Sequence, residues 1–279
     1  MGKEIRVRSV IGILLISAGL LFAGQSGCVK DGGRQQFNLF TMEQDKEFGQ
    51  QLEKEIESKP KEYPLVPREE MPKVYEKLES ICQSILESGE VKLKDEFVWK
   101  MHVIDAPTLN AFCAPGGYIY FYTGLLKYLD TEAQVAGVMG HEMAHADCRH
   151  STKQMTKDYG ISTLLGILVG DNSSELTKIA AQMAGSLAGL KFSRDDESEA
   201  DKCAVRYLSK TKYKPTGVAG FFEKLEAEQK GGKGPEFLST HPSDEHRIAA
   251  IREACEGIDM TGKSDFEQEY KEFKAKYLK

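Results

Sequence analysis

Thr131-Glu132-Ala133-Gln134, then Val135-Ala136-Gly137-Val138-Met139-Gly140, then His141-Glu142-Met143-Ala144-His145 is the stretch on which the reading of this chain turns. A Thr three residues ahead of a Gln is a capping-box pattern, and the small and apolar residues behind it predict a long helix reaching to about residue 155. Four residues of helix turn the chain by about 400°, so His141 and His145 project from one face with Glu142 beside them. Two imidazoles at that spacing can share a metal ion, and the intervening carboxylate is placed as a general base. Zn²⁺ lowers the pKa of a bound water to about 7, within reach of such a base, so the pattern points to metal-assisted hydrolysis.

A third protein ligand is needed. A His six residues past the second imidazole would complete one known arrangement, but position 151 is Ser, and Cys148 stands where that pattern has Gly. His150 comes one residue early, five past His145, which turns it about 140° from the ligand face. The acidic run Ser193-Arg194-Asp195-Asp196-Glu197-Ser198-Glu199-Ala200-Asp201 offers a carboxylate from a later helix. Glu197 and Asp201 share a helix face, so one can ligate zinc while the other accepts the ring N–H of a ligating His and fixes its tautomer. Spacing favours Glu197 as the ligand. Glu199 falls on the opposite side and reads as a salt-bridge carboxylate. His102, His150 and His246 read as surface or packing residues.

Around this centre the chain is mostly helical, with apolar residues at helical spacing over 41–57 and 70–88 and further helices over 194–210, 215–229, 244–256 and from 266 onward. A Pro-containing loop spans 59–67, and strands are expected over 97–104 and at Tyr118-Ile119-Tyr120-Phe121-Tyr122, the aromatic run packing on a core. Residues 161–190 are apolar and Gly-rich and read as a helical hairpin. No repeat at a solenoid period is present.

The chain opens with Lys3, Arg6 and Arg8 ahead of an apolar run over 10–24, the basic and apolar regions of an export signal, too short to be a comfortable membrane span. Gln25-Ser26-Gly27-Cys28 resembles a bacterial lipobox, with Gln25 where Leu is usual. The expected organisation is a signal peptide over 1–27, a polar tether over 28–38 beginning at a lipidated Cys28, and a single catalytic domain over 39–279. Ordinary cleavage near Ser26 is the alternative. Val29 follows Cys28 where inner-membrane-retained lipoproteins of enteric bacteria typically carry Asp, a resemblance that favours the outer membrane. The mature chain is therefore expected on the periplasmic side of a bacterial membrane, held there by its N-terminal lipid.

Of the 279 residues 41% are hydrophobic and 29% charged, enough for one large domain or two small ones. The formal charge is −6, and losing the leader's three basic residues and one acidic residue takes it to −8, which argues against a nucleic-acid binder. If Cys28 is lipidated, five cysteines remain. Cys148 and Cys203 lie on the two helices that build the metal site, as a bracing bridge or as two buried free thiols.

His141-Glu142-x-x-His145 together with Glu197-x-x-Ala200-Asp201 resembles the HtpX and CAAX-prenyl-protease family of zinc metallopeptidases. Further stretches fit its soluble, exported branch: Asn110-Ala111-Phe112 leading to Pro115-Gly116-Gly117, Gly124-Leu125-Leu126, the run over 133–137, and Ser239-Thr240-His241-Pro242 with Arg247. The resemblance covers residues 40–258. It implies a mainly helical α+β gluzincin fold with a small sheet beside the active helix, and one Zn²⁺ held by His141, His145 and Glu197, with Glu142 as base and Asp201 behind the ligands. It further implies an endopeptidase that cleaves misfolded or unassembled envelope proteins. His241 is expected near the open coordination position, capping the metal at rest or donating to the oxyanion, a structural turn histidine being the plain alternative. Arg247 is expected as an ion-pair partner in the site wall. Residues 110–122 stand where zincins carry a substrate-aligning edge strand, so Asn110, Ala111 and Phe112 are expected to bind extended polypeptide through main-chain hydrogen bonds. The competing reading is a chaperone-like or latent zinc lipoprotein that grips extended chains without constitutive proteolysis.

Overall fold

Alternation of side chains along three short strands sets the frame. β1 (Lys100–Ile104), β2 (Ala111–Ala114) and β3 (Tyr118–Tyr122) form one sheet in the order β1-β3-β2, with β3 parallel to β1 and antiparallel to β2. This is a computed structural model, and it describes residues 38–160, 173–184, 191–228, 236–241 and 245–279. The expected leader, Cys28 and residues 28–37 of the expected tether lie outside the described residues, as do 161–172 and 185–190 of the expected hairpin.

Because successive strand residues point to opposite faces, Ile119 and Phe121 of β3 join Ala111 and Cys113 of β2 in one core, while Tyr118, Tyr120 and Tyr122 join Phe112 and Ala114 in another. The second core is closed by α1 (Met42–Glu57), whose Phe48, Leu52 and Ile56 are fully buried at helical spacing. Phe112 and Tyr120 stack at 4.5 Å within it. The first, larger core lies between the sheet, α2 (Pro72–Leu86) and α4 (Glu132–Asp147), which follows a short α3 (Thr123–Tyr128). The expected strand over 97–104 is shortened because Trp99 takes a positive φ of 46°.

α4 begins as expected: Thr131 Oγ1 accepts from the Gln134 N–H at 3.1 Å, and Gln134 Oε1 accepts from the Thr131 N–H at 3.2 Å. It does not run on to residue 155. Arg149 sits in the left-handed region (φ 58°, ψ 36°), and α5 (His150–Tyr159) starts in a new direction after it. The chain continues through α6 (Ser173–Ala184), α7 (Arg194–Leu208), α8 (Gly217–Glu228), α9 (Glu236–Thr240), α10 (Glu245–Ala254) and α11 (Glu267–Tyr277). Among the described residues no helix is long and apolar enough to cross a membrane.

α4 crosses α8 with backbone nearly against backbone. A Cβ on Gly137 would stand 2.6 Å from the Gly217 carbonyl carbon, and one on Gly217 would stand 2.2 Å from the Ala133 carbonyl oxygen. Neither neighbour is a side-chain tip that can swing aside. Gly137→Ala is therefore expected to lower stability by about 1–3 kcal/mol, read as a lower thermal midpoint. An unchanged midpoint would show that the helices separate freely.

Candidate active site

α4 and α7 lie against one another and bring the two sequence motifs together. Ser193 caps α7 reciprocally with Asp196, its Oγ accepting from the Asp196 N–H at 3.2 Å, so Glu197 falls in the first turn. There its carboxylate meets both imidazoles: Oε2 is 3.4 Å from His141 Nε2, and Oε1 is 3.4 Å from His145 Nε2. The two Nε2 atoms are 3.0 Å apart. His241, at the end of α9, points Nδ1 into the same space, 2.9 Å from Glu197 Oε1 and 3.2 Å from His141 Nε2. All four side chains are buried, and their donor atoms form a group able to hold a metal ion.

Proton positions test whether a cation fits. His141 Nδ1 is 2.9 Å from Asp201 Oδ1 and His145 Nδ1 is 2.9 Å from His150 Nδ1. With the protons on Nδ1 of His141 and His145, two bare Nε2 lone pairs face each other. A shared cation removes that conflict, and the observed separations are close to the roughly 3.3 Å edge of a tetrahedron with Zn–N bonds of about 2.0–2.1 Å. The electrostatics agree. Burial alone would make His141 shed a proton, yet Asp201 and Glu197 outweigh it and push its pKa up to about 9. A positive charge is wanted at this point, and a bound metal ion would supply it in place of the proton. For Glu197, burial works to raise the pKa, but His241, His141 and His145 hold it well below the usual carboxylate range. Burial pushes His145 well down, towards the neutral form that ligates.

Asp201 lies behind His141, on the far side of the ring from Glu197, and is itself held by Arg247, whose Nε donates to Oδ2 at 2.6 Å while the guanidinium also reaches Glu197 Oε2 at 2.8 Å. Arg247 is buried over the face of Phe222, 4.1 Å from the ring centre. It is thus the ion-pair partner that the sequence reading assigned.

Glu142, next to His141 on α4, is buried, and its Oε1 has no hydrogen-bond partner among the described residues. The nearest ring nitrogen is His241 Nε2, at 3.5 Å. Burial raises its pKa, and the neighbouring His241 and His141, with a smaller contribution from the Cys113 backbone on β2, partly offset that. β2 is an edge of the sheet, and the cleft beside it is lined by Asn110, Ala111 and Phe112 on one side and by Glu142, His241 and Phe192 on the other. In this conformation those strand residues are themselves buried.

Two residues that the sequence reading set aside belong to the site. His150 is neither a surface nor a packing residue: it is fully buried and bonded to His145. The expected rotation of about 140° assumed a continuous helix, and the left-handed Arg149 removes that assumption. Glu199 is bonded through Oε2 to His150 Nε2 at 3.2 Å, so the expected salt-bridge carboxylate serves the site's wall. Cys148 and Cys203 are neighbours across the two helices, and all five described cysteines are buried free thiols.

The model of peptidase family M48 matches residues 72–255. The mitochondrial metalloendopeptidase OMA1 of Schizosaccharomyces pombe is 30% identical over 257 residues, covering 90% of this chain and 73% of that protein. OMA1 of Arabidopsis thaliana is 35% identical over 156 residues, and the beta-barrel assembly-enhancing protease of Escherichia coli is 32% identical over 161 residues. The chain spans only about a third of the length of these last two, 31% and 33%. These relatives do not carry the narrower HtpX and prenyl-protease name. A family match over most of the chain, with named endopeptidases among its relatives, decides the class: this chain belongs to peptidase family M48 and is a metalloendopeptidase.

Proposed function

We propose that this chain is a zinc-dependent endopeptidase of the bacterial cell envelope that hydrolyses misfolded or unassembled proteins. The observation that carries the reading is the convergence of His141 Nε2, His145 Nε2 and a Glu197 carboxylate beside the orphaned Oε1 of Glu142. When bound, zinc would supply an activated water and polarise the scissile carbonyl. The chain's own residues do the rest. His141, His145 and Glu197 hold the ion, and Asp201 keeps the proton of His141 on Nδ1. Glu142 takes the proton of the attacking water and delivers it to the departing amine. The outer edge of β2, at Asn110, Ala111 and Phe112, aligns an extended substrate by main-chain hydrogen bonds, a mode that favours unfolded chains.

The envelope setting is supported by the leader and by the likeness to a protease named for β-barrel assembly. Lipidation at Cys28 and anchoring to the outer membrane on its periplasmic face complete the proposal. The chaperone-like alternative is not favoured, since the chain's family is one of peptidases. The test is metal analysis of the purified protein with digestion of unfolded casein. One zinc per chain and cleavage that a chelator stops and zinc restores support the reading, and cleavage indifferent to chelation overturns it.

His241 occupies the fourth corner of the donor group, so the proposed resting form is capped by this side chain. Substrate entry then requires it to swing out. His241→Ala is expected to raise casein cleavage, by about tenfold for each 1.4 kcal/mol by which the capped form is favoured. Lowered cleavage would instead make His241 a donor to the oxyanion.

A further inference from the structure

The second ligand histidine has its own support, built by a backbone device that uses three separate helices. On the reading proposed above, His145 turns Nε2 to the metal, so its Nδ1 carries the proton and must donate it. The acceptor is His150 Nδ1, 2.9 Å away. A neutral imidazole that accepts at Nδ1 carries its own proton at Nε2. His150 Nε2 meets Glu199 Oε2 at 3.2 Å, with Asp196 Oδ1 farther off at 3.7 Å. His145 and His150 are buried, while the Glu199 side chain is 37% exposed, so the line of bonds runs from the metal centre to the surface.

We propose that His150, oriented by Glu199, is a positioning residue that fixes the tautomer and ring plane of His145, as Asp201 does for His141.

The way His150 reaches its place argues for this role. The left-handed conformation at Arg149 is disfavoured for a residue with a side chain. It is held by contacts far away in the chain: the Arg149 guanidinium donates to Asp45 of α1, and to the carbonyl oxygens of Phe40 and Thr41. Asp45 is buried. α1 thus pins the bend that carries His150 back beneath His145. Phe192 stacks on the His145 ring at 4.0 Å between centroids, so the ring plane is set by one apolar face and one hydrogen bond.

Cys148, His150 and Glu199 are also close enough together to suggest a second metal. Proton counting argues against it. If both Nε2 atoms held cations, a single proton would lie between the two Nδ1 atoms and one ring would have to be an imidazolate. The positioning role needs no such species.

The test uses the full chain and zinc. Zinc affinity is measured by competition with a chromogenic chelator for the parent, His150→Leu and His150→Asn, the last of which keeps an acceptor oxygen near the place of Nδ1. His150→Leu is expected to bind zinc about 10–100-fold more weakly, and His150→Asn to stay within about threefold of the parent. Nitrogen-15 NMR of the zinc-loaded parent is expected to show His145 as the Nδ1–H tautomer and His150 as the Nε2–H tautomer, a readout independent of how the variants fold. Parent-like affinity in His150→Leu, equal losses in both variants, the opposite tautomers, or two zinc ions per chain would overturn the proposal. A parent that takes up no zinc would instead overturn the site reading itself, before any variant is compared.

Discussion

Glu142→Gln is expected to keep zinc at parental stoichiometry while casein cleavage falls by about 10²–10⁴-fold, the range that general acid–base groups contribute. The substitution leaves size and shape unchanged, and Glu142 is not one of the four donors, so the metal centre has no reason to change. What disappears is the ability to accept a proton. Burial holds Glu142 above the usual carboxylate range, which suits a base that must later return its proton to the leaving amine. Among the described residues its Oε1 has no hydrogen-bond donor that the attacking water would have to displace. Zinc assay and protease assay on the same preparation decide the matter, and parental cleavage by the variant would remove Glu142 from the base role.

The second large effect is expected at Glu197. Glu197→Ala removes the one carboxylate that faces His141, His145, His241 and Arg247 together. Zinc should fall well below one per chain. Leaving Arg247 with half of its buried counter-charge is expected to cost up to about 3–5 kcal/mol in stability, readable in a denaturant titration of the metal-free protein. Glu199→Ala is the control. It touches only the outer end of the His150 line, so saturating zinc should still give one ion per chain with a modestly weaker affinity. The reverse order, zinc lost with Glu199→Ala and kept with Glu197→Ala, would move the third ligand to another residue.

The helix that carries His141 and His145 was legible because its information is local. Thr131 and Gln134 cap it and the four-residue spacing of His141 and His145 fixes their common face, so no distant contact is needed to read it. The same holds for Glu197 and Asp201 on α7. The aromatic run of β3 was legible as a packed strand for an equally local reason, a strongly β-prone composition directly after the Pro115-Gly116-Gly117 turn. His150 was illegible because its position depends on the Arg149 bend. That bend is stabilised by Asp45, 104 residues earlier, and nothing in the sequence around residue 150 announces it. The shortening of β1 has a similar character, since Trp99 takes a positive φ that its own residue type disfavours. His241 was placed near the metal only through resemblance, because α9 and the chain around it carry no periodic signal of their own.

The clamp from α1 onto Arg149 redraws the boundary of the catalytic unit. The segment matched by the family model begins at residue 72, after α1 has ended, yet the bend beside His145 is anchored by a carboxylate at residue 45. A minimal protease cut from this chain at the family boundary would keep every candidate ligand and lose the brace that aims one of them.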